Sequence, residues 1–345
     1  MQKRLKEIDL IRPIAVLLIV VWHTFIIYQG GWHEPENFGD VRVYWWIAKF
    51  AIIFSLELFT FVSGYVFAFQ NTNKPKPFGV FVKGKAKRLL LPGIVFSMLY
   101  VLIISGVGSI QSVPKLCVDL ICGVGHLWYL PMLFVVFILS YLIVKLKVRV
   151  VNFLMVVLLS IATIILAIQL PFNISLIMYY LPFFLMGYYF YQYRERINKK
   201  LQEGGVFIAL AVFIITFLLT TVTKDLVDNG VLVCGKYDSI VRLGIKVVHL
   251  VAAFFGVVVA YGFATFYVKK KNGVVPKVLD ILNPYCFGIY LFQQFIIQIL
   301  YYKTPLFTTV GTYLAPWIAL IITSITSFIL TYILRLSKIG RCLIG

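Results

Sequence analysis

Apolar residues in this chain run in stretches far longer than soluble helices or strands need, and polar residues gather in the short interruptions between them. A helix rises about 1.5 Å per residue, so about 20 apolar residues cross the roughly 30 Å hydrocarbon layer of a bilayer. By that measure ten spans are predicted, near residues 9–29, 44–70, 89–106, 126–145, 150–169, 174–192, 205–222, 243–268, 281–302 and 312–335. The predicted fold is all-α: a polytopic membrane protein of about ten transmembrane helices, read as a single integral-membrane domain over residues 1–345. No loop exceeds about 20 residues, which leaves no room between spans for a soluble domain. The basic start before the first apolar run mimics a signal peptide. Arg12 and His23 interrupt that run and no small-residue cleavage site follows, so it reads as a retained first helix. No internal repeat is visible, which weakens the case for an inverted-repeat transporter.

Composition agrees with the pattern. Of 345 residues, 61% are apolar or aromatic and 13% charged, against roughly 45–50% and about 25% in soluble domains. This excludes a soluble globular enzyme. The formal charge of +19 could suggest a nucleic-acid partner, but its distribution argues otherwise. Of the 32 Lys and Arg, 23 fall in the termini and alternate loops, six in the opposite loops and three within spans. The positive-inside rule then puts both termini in the cytoplasm, and anionic lipid headgroups account for the charge. No nucleic acid is expected. Four scattered His and five Cys without a close pair argue against a zinc module or a disulfide scaffold. Cys117, Cys122 and Cys234 fall in outer loops, where a disulfide or free thiols are equally open.

Ionisable residues inside spans cost about 2.5–3.5 kcal/mol each on insertion scales, so they are functional candidates by default. Arg12 and His23 are 11 residues apart, three helical turns plus about 20°, which places both on one face roughly 16 Å apart along the axis. The bland alternative is an Arg snorkelling to the interface and a His satisfied by a neighbouring helix. Pro13 fits a first helical turn. Glu57 lies near mid-depth of the second span, where it is either neutral or paired with a cation such as Arg12 or Lys49. Ser63-Gly64 permits close helix packing. Lys85, Lys87 and Arg88 open the third span and suit phosphates, Arg bidentately, although topology alone supplies such a basic run. His126, Trp128 and Tyr129 fall at the outer surface, where an aromatic belt is the ordinary expectation. Lys246 and His249 share a face of the eighth span, and Gln293 and Gln294 lie past the middle of the ninth. Sorted by depth, the cations gather at the cytoplasmic mouth and the imidazoles and amides in the outer half, which suggests a polar path. The loop GWHEPENFGD, with His33 and Glu34, reads as a solvated turn, contact with a substrate being the alternative.

Six segments make one set: Arg-x10-His within DLIRPIAVLLIVVWH; Glu57-x5-Ser63-Gly64-Tyr65; the basic stretch with RLLLP at Arg88–Pro92; HLWYL at His126–Leu130; LPFFLMGYY at Leu181–Tyr189; and PYCFGIYLFQQ at Pro284–Gln294. Together they resemble the integral-membrane acyltransferase family 3, which acylates cell-surface sugars, over essentially the whole chain. Two positions depart: Glu57 stands where the family often has Asp, and Gln293 where many members have His. The resemblance implies transfer of an acyl group, often acetyl, from cytosolic acyl-CoA to a hydroxyl of an extracytoplasmic or membrane-associated glycan, by a multi-pass protein of the cell membrane. It implies acyl-CoA, most often acetyl-CoA, as donor and no metal.

Under that implication Arg12, Lys85, Lys87 and Arg88 anchor the polyanionic coenzyme. His23, with a reference pKa near 6.5, acts as general base or carries an acyl group itself. Glu57 orients or compensates charge, and His126, Trp128 and Tyr129 hold the sugar. The oligomeric state stays open. A transporter or flippase for a glycan or glycolipid is the main rival, since a polar path would serve it equally; a non-catalytic assembly partner is a third reading.

Overall fold

A computed structural model describes residues 4–106, 108, 110–146, 154, 156–158, 161–162 and 174–344, and every regular element among them is helical. In chain order we name α1 (Lys6–Phe25), α2 (Arg42–Ile52), α3 (Ser55–Asn73), α4 (Phe78–Lys85), α5 (Leu91–Tyr100), α6 (Val113–Cys122), α7 (Tyr129–Lys145), α8 (Ile174–Gln192), α9 (Arg194–Lys200), α10 (Val206–Asp228), α11 (Asp238–Lys270), α12 (Lys277–Leu282), α13 (Cys286–Tyr302), α14 (Leu306–Leu336) and α15 (Lys338–Ile344). Among the described residues, eight helical stretches are long and apolar enough to cross a membrane. The chain is thus a polytopic helical membrane protein. The span predicted at 150–169 lies largely outside the described residues. The one predicted at 281–302 is assembled from α12, a 3-10 turn Asn283–Tyr285 and α13.

Three elements differ from expectation. Helix α1 starts at Lys6, so Pro13 stands inside the helix rather than in its first turn. There its ring removes one backbone donor, a defect membrane helices tolerate. The second span is broken at Ile53–Phe54, so that Glu57 falls in the first turn of α3. The third span opens at Phe78, and Lys87 and Arg88 stand in a π-helical turn, Ala86–Leu90, joining α4 to α5.

The chain divides into two compact units. One comprises Met1–Arg12, Ile53–Pro75 and Leu139–Pro276; the other comprises Pro13–Ile52, Lys76–Ile138 and Lys277–Gly345. In the first, α3 and α8 meet backbone to backbone. A Cβ on Gly64 would overlap the carbonyl oxygen of Phe184, and one on Gly187 the carbonyl oxygen of Phe61. Without a hydrophobic drive between helices in lipid, such small-residue contacts supply the packing. At one end of the same unit, the Tyr65 hydroxyl donates to Glu7 Oε1 at 2.7 Å and the Tyr261 hydroxyl to Asn198 Oδ1 at 2.9 Å. Helix α11 also packs on α3.

In the second unit α13 lies along α14, with Gly288 against the Thr331 side chain. An aromatic core that includes Phe25, Tyr28, Trp45, Tyr301 and Phe307 fills the space beneath the end of α1. It is tied by Tyr28 Oη donating to Thr312 O at 2.8 Å, Tyr44 Oη to Tyr313 O at 2.8 Å, and Trp317 Nε1 to Tyr44 Oη at 2.9 Å.

Candidate active site

Helix α1 is continuous from Lys6 to Phe25 and carries both Arg12 and His23. His23 is buried in the second unit, and its Nδ1 lies 2.9 Å from the carbonyl oxygen of Ile19, one turn back. A carbonyl oxygen only accepts, so Nδ1 carries the hydrogen. In the neutral ring Nε2 is then the lone-pair nitrogen, and it has no partner among the described residues. The Trp22 ring lies 4.2 Å away, Trp32 6.0 Å and His126 6.2 Å, centroid to centroid.

His126 is brought beside His23 by a turn that depends on glycine. Gly123 and Gly125 have φ of +86° and +58°. A Cβ on the first would meet the Leu127 backbone at 2.6 Å, and one on the second would meet the Tyr100 ring at 2.9 Å. Ser97 Oγ accepts the Val124 N–H at 3.1 Å within the same turn. Helix α13 then fixes the imidazole. Nε2 lies 3.0 Å from Tyr290 O and 3.2 Å from Leu291 O, while the His126 N–H donates to Gln294 Oε1 at 2.9 Å. The Tyr290 hydroxyl donates to the His126 carbonyl. By the same reasoning Nε2 bears the hydrogen and Nδ1 the lone pair. That Nδ1, like Trp22 Nε1, is buried and without a partner among the described residues. Two imidazole acceptors and one indole donor are thus left unmatched among the described residues.

HLWYL thus departs from its expected surface position: His126 and Tyr129 are buried and Trp128 is half-buried. The hydrogen bonds from α13 draw the segment inward, and the glycines of GVGHLW were the sequence signal for it. Gln293 is fully buried, and both its amide atoms lack a partner among the described residues.

In the first unit, Glu57 is buried at 4% exposure, and the Tyr179 hydroxyl donates to its Oε1 at 2.9 Å. Its Oε2 has no partner among the described residues. Glu57 stands in the first turn of α3, where the helix dipole favours a negative charge. Lys49 Nζ lies 5.2 Å over the Trp45 ring. Tyr179 was not foreseen. Lys246 is exposed and His249 half-buried on α11.

The basic cluster divides. Lys85 Nζ lies 3.5 Å over the Phe137 ring and 5.6 Å over Phe81, whereas Lys87 and Arg88 are exposed on the π turn. The C-terminal helix α15 packs against that turn and brings Lys338 and Arg341 on one element beside it. Sequence reading had counted these two only as topology signals. None of the five cysteines forms a disulfide among the described residues.

Eight membrane-length helical stretches among the described residues, with two buried imidazoles 6.2 Å apart in the second unit, define the class as a polytopic helical membrane protein. A family model described as an acyltransferase domain, acyltransferase family 3, matches residues 5–336. The chain belongs to that family, and its chemistry is acyl transfer. No curated protein and no solved structure is similar enough to the chain to count as a match.

Proposed function

We propose that this protein is an O-acyltransferase of the cell membrane, moving an acyl group, in the simplest case acetyl, from cytosolic acyl-CoA to a hydroxyl of an extracytoplasmic or membrane-associated glycan. Both termini lie in the cytoplasm in this reading, as the charge distribution supports. Arg12, Lys87 and Arg88 take the coenzyme phosphates, Arg through paired hydrogen bonds. Lys85 takes part through its charge over Phe137.

The tautomer of His23 is the observation that carries the mechanism. With Nδ1–H committed to Ile19, Nε2 accepts the proton of the acceptor hydroxyl as its oxygen attacks the thioester carbonyl. The C–S bond then breaks, the thiolate takes that proton from the imidazolium, and ester and free coenzyme leave. His126 Nδ1 accepts a second hydrogen bond from the sugar, and Trp128 and Tyr129 bound its seat. Glu57 compensates charge through its free oxygen.

Purified protein in nanodiscs, given radiolabelled acetyl-CoA and a panel of glycans, is expected to move label onto a glycan. Solute movement without labelled product would favour the transporter reading and defeat this one. Label retained on the protein when acceptor is omitted would replace direct transfer by an acyl-His route. Arg12→Ala is expected to weaken coenzyme A binding about tenfold, about 1.4 kcal/mol, measured by calorimetry; unchanged affinity removes Arg12 from that role.

A further inference from the structure

Ser337 breaks off the last long helix. Its backbone is extended, with φ −89° and ψ 154°, and its Oγ accepts the Gly340 N–H at 2.8 Å, so it caps a new helix, α15. Gly340 lets that helix fold back closely: a Cβ there would overlap the carbonyl oxygen of Leu334. Gly340 and Ile344, one turn apart, are the buried face of α15. The helix packs on α14, on the π turn Ala86–Leu90 and on α5. It begins past the residues 5–336 that carry the family likeness.

The remaining positions of α15 sort by chemistry. Lys338 and Arg341, three residues apart and so on one flank, are both exposed. Ile339 stands on another flank at 76% exposure, and Leu336, just before the cap, is at 64%. Seven residues are far too few to cross a bilayer. A short helix with an apolar flank beside a cationic one suits the boundary between acyl chains and headgroups. Leu91 and Ile94 of α5, against which it packs, are exposed as well. The charge here is of one sign. Neither α4, the π turn, α5, α14 nor α15 contains an Asp or Glu, so no carboxylate on these elements answers Lys87, Arg88, Lys338 and Arg341. Arg341 Nη1 reaches only the Arg335 carbonyl, at 3.4 Å. Like charges gathered by packing repel one another unless an anion comes between them.

We infer that α15 is a binding site for an acidic phospholipid, with Lys338 and Arg341 on the phosphodiester and Ile339 and Leu336 along the acyl chains. Lys acts as a point charge and Arg through paired hydrogen bonds. A soluble phosphate would gain nothing from the two exposed apolar side chains, whereas a phospholipid uses both flanks. The site stands apart from the acyl-transfer reading, in which Lys87 and Arg88 on the neighbouring turn stay with the donor.

The test is a lipid titration of the full chain in detergent, read by native mass spectrometry, with phosphatidylglycerol and phosphatidylcholine as probes. Phosphatidylglycerol is expected to bind the more tightly. Lys338→Gln/Arg341→Gln is expected to weaken its tightest step at least tenfold, two cations near an anionic headgroup being worth roughly fivefold each, and to leave phosphatidylcholine unchanged. Ile339→Gln, with both cations kept, is expected to weaken phosphatidylglycerol severalfold. Lys270→Gln/Lys271→Gln removes the same charge from the end of α11 and is expected to leave the tightest step as it was. All these positions are exposed, so the fold stays intact, as gel filtration would verify. Equal binding of the two lipids, unchanged binding in either α15 variant, or an equal loss in the α11 variant would each overturn the inference. Displacement of the lipid by saturating coenzyme A would overturn it too, by assigning Lys338 and Arg341 to a soluble phosphate.

Discussion

Glu57 and His126 are about equally hidden, at 4% and 5% exposure, yet the two units treat them in opposite ways. Glu57 sits among tightly packed helices whose closest approaches are glycine against carbonyl, and it has one hydroxyl partner and one oxygen left over. His126 is surrounded by hydrogen bonds aimed at it from α13 and keeps one nitrogen open. Where packing is by small residues, a polar group is accommodated by whatever donor is near. Where backbone carbonyls do the holding, orientation and tautomer are specified, and the remaining lone pair is presented deliberately to an occupant.

The comparison breaks most sharply at His23. His23→Ala is expected to lower acyl transfer by ~10²–10⁴-fold, the range for a general base, in a protein that still folds, since its hydrogen bond among the described residues is to its own helix. Near-normal turnover would defeat the mechanism. Gly64→Ala does the reverse. It forces a methyl group onto the Phe184 carbonyl and is expected to cost about 1–3 kcal/mol as overpacking, read as a lowered unfolding temperature by fluorescence-detected gel filtration.

Tyr179→Phe strips Glu57 of its donor and is expected to cost about 1–3 kcal/mol, the penalty of a buried group left unmatched. An equal midpoint for wild type and variant would mean that Glu57 is satisfied by other means. Gln293→Met gives the smallest effect. Both amide atoms are unmatched, so an apolar side chain of similar size is expected to leave stability equal or slightly higher. A clear loss of activity at unchanged stability would show that the amide serves the reaction.

Much of α1 was legible in advance, because Arg12 and His23 are spaced for one helix face and interrupt an otherwise apolar run. The break at Ile53–Phe54 was not. No Gly or Pro marks it in AIIFSLE, so the sequence places Glu57 near mid-depth of a span, neutral or paired with a cation, and carries no sign of a helix start there. HLWYL misled for another reason: an aromatic segment at a span edge has the same composition whether it faces lipid headgroups or is pulled inward. Only the long-range bonds from Tyr290, Leu291 and Gln294 decide between the two. Tyr179 carried no signal, being one tyrosine among 21.

An imidazole clipped through Nε2 to two carbonyls cannot turn over without abandoning both. Whatever hydrogen approaches His126 must come and go by the single Nδ1 doorway, so the residue is the end of a line rather than a junction in a proton wire. His23, whose Nδ1–H is committed to Ile19, is likewise open only at Nε2, so each ring takes and returns a proton at one nitrogen.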